Sequence, residues 1–120
     1  MAEDLFDRAL ELVMDGGQTL LANGGEVFRV QQTMEIMAAS LGVQDFHVYV
    51  LTNGIFASAH LPGGESVTLV RHVPTVSIHL GRVEAVNELS RELAAGKLDV
   101  VEAEQKLAAA RALPRVTPRR

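Results

Sequence analysis

Three charged side chains stand where they could do chemistry: Glu26 and Arg29, three residues apart at the start of a helical pattern, and Arg71, inside an otherwise apolar strand. A carboxylate and a guanidinium at that helical spacing are surface neighbours that can pair with each other. They can instead hold the two ends of a zwitterion, because a planar guanidinium takes a carboxylate through two parallel bonds. Glu26 also profits from the helix dipole at that end. Arg71 is held mid-strand and needs a carboxylate, from the protein or from a ligand. These three are the candidate ligand-binding residues, and no catalytic residue is assigned.

Two histidines add a weaker possibility. Taking Asn53-Gly54 as a two-residue hairpin turn sets Thr52 opposite Ile55 and His47 opposite His60, near enough to share one metal ion. A metal site needs a third and usually a fourth ligand, and the nearest acids, Asp45 and Glu65, fall near strand ends. The reading is therefore no metal and no cofactor, with His47 and His60 as the only candidates and pH sensing as another use for the pair. Ser58, Ser66 and Ser77 are raw material for a small hydrolase, the alternative enzymatic reading. No serine sits in a strand-turn-helix elbow, and "PGGES" joins two strands, which suits a turn better than a phosphate cradle.

The elements that position these residues follow from periodicity. Leu5, Ala9, Leu12, Val13, Leu20 and Leu21 keep helical spacing behind an Asp4 N-cap, with a kink expected at Gly16-Gly17. Asn23, Gly24 and Gly25 then read as the turn of a helical hairpin, with Gly24 or Gly25 at positive φ, and a second helix spans about 26–41. Strands are expected at about 45–52, 55–61 and 66–73. Placing Leu61 opposite Ser66 sets Arg71 opposite Phe56. That register gathers Phe46, Val48, Val50, Ile55, Ala57, Ala59, Leu61 and Val70 on a core face. The other face takes Tyr49, Leu51, Phe56, Val67 and Leu69 with the histidines and Arg71, too apolar for water alone and suited to a second copy or another domain. Two further helices follow, one with a stripe of Ile78, Leu80, Val83, Val86, Leu89 and Leu93 stopping at Gly96, one capped by Asp99 and ended by Pro114. The fold class is α+β: a helical hairpin, a three-stranded antiparallel meander and two C-terminal helices, in one domain over residues 1–113.

Composition narrows the function classes. A chain of 120 residues, 48% hydrophobic and 22% charged, is one globular domain with enough apolar residues for its own core. It has no cysteine, which excludes disulfides, thiolate metal sites and cysteine nucleophiles. Its start, "MAEDLFDRAL", is acidic where a signal peptide is basic, and no apolar run approaches the roughly 18 residues of a membrane span. Net charge is −4, and the basic residues 114–120 make the body more acidic still. Such a body is a poor partner for phosphate backbones, so no nucleic-acid partner is expected. The basic tail suits a stretch lying beside anionic lipid.

"NGGEVFRVQQTMEIMAASLGV", followed by "VYVLTNGIFASA", "VTLVRHVP" and "LAAGKLDVVEAEQKL", resembles the N-terminal domain of the threonine/serine exporter family. The likeness runs from about Asp15 to Leu107, and its matching positions are Gly24, Glu26, Arg29, Gly54 and Arg71. The resemblance implies a non-enzymatic cytoplasmic module, associated with the inner face of the cell membrane, of an exporter of small amino acids or, in split relatives, dicarboxylates. It implies a gating, substrate-sensing or oligomerisation role. The implied partners are a membrane transporter domain in cis or a separate membrane subunit, a second copy of the chain, and a small amino acid. On this view "PRVTPRR" is the stub next to a first membrane span. A free-standing dimeric binding module is the other non-enzymatic alternative.

Overall fold

The computed structural model describes residues 2–74 and 77–114. Its elements run α1 (Ala2–Ala22), α2 (Val27–Ser40), β1 (His47–Leu51), β2 (Gly54–His60), β3 (Ser66–His72), α3 (Leu80–Ala94) and α4 (Val100–Arg111). The fold is α+β: two helices, a three-stranded antiparallel meander in the order β1-β2-β3, then two helices. The expected tail, residues 114–120, lies outside the described residues beyond Pro114.

α1 runs unbroken through Gly16 and Gly17, and Asp4 lies inside the helix rather than capping it. The reason is packing. A Cβ on Gly17 would stand 2.2 Å from the Met34 sulfur, so the missing side chain is the space that α2 occupies. Both Met34 and Met37 are fully buried beside Val13, Met14 and Leu20. Burial of side chains of this size stabilises by about 1.5–3 kcal/mol each, which outweighs the roughly 1 kcal/mol per glycine lost in helix propensity. α1 also touches α3 and α4, and α3 in turn touches α2 and α4.

The sheet departs from the expected register twice. β1 and β2 pair Leu51 with Gly54, so Thr52 and Asn53 form the turn and Gly54 begins the strand. Gly54 is needed there for close approach, since a Cβ would lie 3.2 Å from the Arg71 carbonyl oxygen. His47 consequently faces Ser58, not His60. β2 and β3 pair His60 with Ser66, which puts Arg71 opposite Ile55 instead of Phe56. This single-residue shift exchanges the faces of β3. Val67, Leu69 and Arg71 turn toward the helices, while Val70, expected in the core, is 61% exposed. The connecting turn follows the same register: Leu61 N–H donates to Glu65 O, one pair beyond His60 and Ser66, and Gly64 N–H donates to Leu61 O. The outer face is left with Tyr49, Phe56 and Val70 in one row, all exposed.

Asp99 caps α4 through a capping box with Glu102, as expected. α4 is tied to α1 by Arg8 and Glu104, and the guanidinium holds the Glu104 carboxyl below its usual range. At the start of α3 the apolar stripe begins later than the sequence suggests. Ile78 and Leu80 stand 69% and 70% exposed, and burial is reached at Val86, Leu89 and Leu93.

Gly17→Ala is expected to lower stability by about 1–3 kcal/mol in urea denaturation, although alanine is the better helix former. A stabilised variant would show that Met34 can leave its seat freely and that close approach does not fix the α1–α2 pair.

Candidate functional site

The turn between α1 and α2 builds the candidate site. Gly24, at φ 99°, takes the left-handed conformation that costs a residue with a Cβ about 1 kcal/mol. Gly25 N–H then donates to Leu20 O at 2.7 Å, and buried Asn23 donates through Nδ2 to Thr19 O. Glu26 is the N-cap of α2: Oε2 accepts from the Phe28 amide at 3.1 Å and Oε1 from the Arg29 amide at 3.2 Å. Its carboxylate is therefore bound to backbone amides, where the helix dipole favours negative charge. Facing this turn is α3, whose His79 N–H donates to Asn23 O.

Between the turn and α3 lies a cavity of about 290 Å³. Leu20, Val30 and Val83 give it apolar walls; Gly24, Gly25, Glu26, Arg29, Glu84 and Asn87 give it polar ones. It falls just below the roughly 300–1,000 Å³ range of small-molecule sites. One guanidinium and two carboxylates share the lining, so both ends of a zwitterion find an opposite charge. Asn87 is positioned by Thr33 Oγ1, 3.4 Å from its Oδ1.

Arg71 is elsewhere. Its Nη1 donates to Asp15 Oδ1 at 2.6 Å and to Gln18 Oε1 at 2.7 Å, and its Nη2 pairs with Glu11. The carboxylate that a mid-strand arginine requires thus comes from α1, and the cluster fastens β3 to that helix. Arg111 approaches the other Asp15 oxygen at 3.9 Å.

His47 and His60 lie on one sheet face in different cross-strand rows. His60 Nδ1 stands 3.1 Å from Asp45 Oδ2. Asp45 has φ 50°, a conformation uncommon for a residue with a side chain. This pair borders a cavity of about 470 Å³, also lined by Phe6 and Gln44. Ser66 lies directly across from His60. Among the described residues no three His, Asp or Glu side chains are arranged to hold a metal ion.

Sequence reading did not find Glu84, Asn87, Glu11, Asp15 or Gln18. Two signals were present. Positions 11, 15 and 18 fall at helical spacing on one face of α1, a polar stripe suited to a cation. Positions 84 and 87 flank the apolar stripe of α3 one turn apart. Which neighbour each stripe would meet depends on tertiary packing alone.

A family model, ThrE, described as "Putative threonine/serine exporter", matches residues 11–119, and the chain belongs to that family. No curated protein and no solved structure matches it.

Removing Arg71 takes the paired cation from Glu11 and leaves Asp15 only the longer approach of Arg111. Arg71→Ala is expected to cost about 1–3 kcal/mol of stability, and Arg71→Lys to recover only part, since an ammonium cannot copy the fork that serves three partners. Urea denaturation checks this; equal stability of the lysine variant and the parent would contradict it.

Proposed function

We propose that this chain, as a member of the threonine/serine exporter family, is a non-enzymatic domain at the cytoplasmic face of the membrane that senses the small amino acid to be exported. Among its described residues no helix is long and apolar enough to cross a membrane. The membrane-spanning part of the exporter, in the same chain or a separate subunit, is the partner in this reading. A second copy docked on the Tyr49, Phe56 and Val70 row is compatible with it.

The observation that carries the reading is the cavity of about 290 Å³ whose lining includes Arg29, Glu26, Glu84 and Asn87. A bound amino acid places its carboxylate on Arg29 and its ammonium between the two glutamates. The Leu20, Val30 and Val83 walls receive a methyl group such as that of threonine, and Asn87 offers a hydrogen-bonding partner for a hydroxyl. A dicarboxylate fits less well, because its second carboxylate would meet Glu26 or Glu84. Glu26 also gives a route to gating. An ammonium drawn to its carboxylate competes with the Phe28 and Arg29 amides, so occupancy and the first turn of α2 are linked.

Titration calorimetry with threonine, serine and succinate tests the site. The expected result is binding of both amino acids in preference to succinate, and a loss of at least about tenfold, roughly 1.4 kcal/mol, in Arg29→Lys. Equal heats in parent and variant, or heat with none of the three, would overturn it.

One second reading has an observation of its own: strained Asp45 beside His60, with Ser66 next in the row, is the order of an orienting acid, a base and a nucleophile. Hydrolysis of p-nitrophenyl acetate that falls at least tenfold in Ser66→Ala would support it. Equal rates in both proteins would remove it.

A further inference from the structure

A separate cavity, of about 160 Å³, adjoins the α1–α2 turn and shares no lining residue with the cavity of about 290 Å³. Its walls come from three helices: Gln18, Thr19 and Ala22 of α1 with the adjoining Asn23, Arg82 of α3 and Arg111 of α4. Two guanidiniums line it and no carboxylate does. In a chain of fifteen Asp and Glu against eleven Lys and Arg, that lining runs against the prevailing charge.

The polar groups here have engaged their acceptors and kept donors. Gln18 Oε1 accepts from Arg71 Nη1 at 2.7 Å, which leaves the Nε2 end as what this amide still offers. Asn23 Oδ1 faces Arg82 Nη1 at 3.4 Å, and Thr19 Oγ1 donates to Asp15 O. Arg82 also donates through Nε and Nη2 to Leu113 O, at 3.1 and 2.8 Å, so one proton on each of its Nη atoms is left. Arg111 has the most to give. Its one ionic contact with the described residues is Asp15 Oδ2 at 3.9 Å, beyond hydrogen-bond distance. Asp15 is already held by Arg71 through its other oxygen at 2.6 Å. Glu11 and Glu104, beside Arg111 in a neighbouring cavity, pair with Arg71 and Arg8. The carboxylates around Arg111 therefore have cations of their own, and its fork is not engaged.

We infer that this cavity is a site for a small doubly charged oxyanion with the chemistry of phosphate, as the free ion or as the terminal group of a phosphate ester. Arg111 takes two of its oxygens through parallel N–H bonds, and Arg82 and Gln18 supply the remaining donors. Two guanidiniums balance two negative charges, whereas a monocarboxylate leaves one of them unmatched. An amino acid is excluded by the same lining, because no carboxylate receives its ammonium. At about 160 Å³ the space is well below the roughly 300–1,000 Å³ of organic-ligand sites and suits an ion or a single phosphate group. A bound anion joins α1, α3 and α4 beside Asn23, the residue that starts the turn. The inference goes beyond the amino-acid reading and does not depend on it.

Calorimetric titration of inorganic phosphate into the 120-residue chain is the test, without amino acid and at constant ionic strength set with sodium chloride. A pH of about 8 keeps the phosphate group close to two negative charges. The expected result is saturable binding that is at least tenfold tighter than that of acetate and falls at least tenfold in Arg111→Gln. Arg111→Lys, which keeps the charge and loses the fork, should lie between the two. The Arg111 side chain is 51% exposed, so its replacement opens no core, and circular dichroism melting confirms that each variant is folded. Arg91→Gln removes one positive charge from an exposed position on α3 and should bind like the parent. Glycerol 3-phosphate separates the two sources: binding of both compounds assigns a terminal phosphate group, and binding of inorganic phosphate alone assigns the free ion. No binding by the parent, acetate binding as tightly as phosphate, undiminished binding in Arg111→Gln, or equal loss in Arg91→Gln would overturn the inference. None of these outcomes reads the amino-acid cavity, which the threonine and serine titrations test separately.

Discussion

The absence of a side chain at Gly17 sets the distance between α1 and α2, and much of the molecule follows from that distance. Met34 fills the space against the α1 backbone, and Met37 lies beside Gly16 one turn further on. With the two helices this close, Leu20 and Val30 meet near the turn, and the chain must reverse within Asn23, Gly24, Gly25 and Glu26. The reversal is tight enough that Gly25 donates directly to the Leu20 carbonyl. Close packing of this kind tolerates few alternatives, since core voids and overlaps both cost free energy.

The same geometry creates the cavity. Helices joined by a short turn diverge little at their joined end, so the remaining gap opens toward α3, which closes it with Val83, Glu84 and Asn87. Glu26 serves the turn and the cavity at once, as a cap for α2 and as a lining carboxylate. Arg71 supports the arrangement from a distance by holding β3 on the opposite stretch of α1, through Asp15, Gln18 and Glu11. Its charge is matched inside the protein, which leaves Arg29 as the arginine available in the cavity.

The elements were legible because they depend on local pattern. The change from helical to alternating period marks the meander, Asp99 with Glu102 marks the last helix, and Asn23-Gly24-Gly25 marks the hairpin whose Gly24 has the expected positive φ. What failed depended on contacts distant in sequence. Gly16-Gly17 looks like a weak point until Met34 is seen occupying it. Asn53-Gly54 has the sequence of a hairpin turn, yet Gly54 is spent on the approach of the Arg71 carbonyl, and the turn moves to Thr52-Asn53. The loop 61–65 admits registers differing by one residue, and only packing against the helices decides which face of β3 carries Arg71. Of the candidate ligand residues, Glu26 and Arg29 share a cavity and Arg71 does not join them; the α3 partners could not be read because no local signal says which helix covers the turn.

The central claim is that the turn between α1 and α2 is an amino-acid site rather than only a connection. Titrating threonine into the 15N-labelled chain and following backbone amide shifts tests it most directly. The account predicts saturable shifts at Gly24, Gly25, Glu26, Arg29, Glu84 and Asn87, with the amides of Phe28 and Arg29 moving as Glu26 is engaged. Shifts confined to the surroundings of Asp45 and His60, or no shifts at all at millimolar threonine, would contradict it.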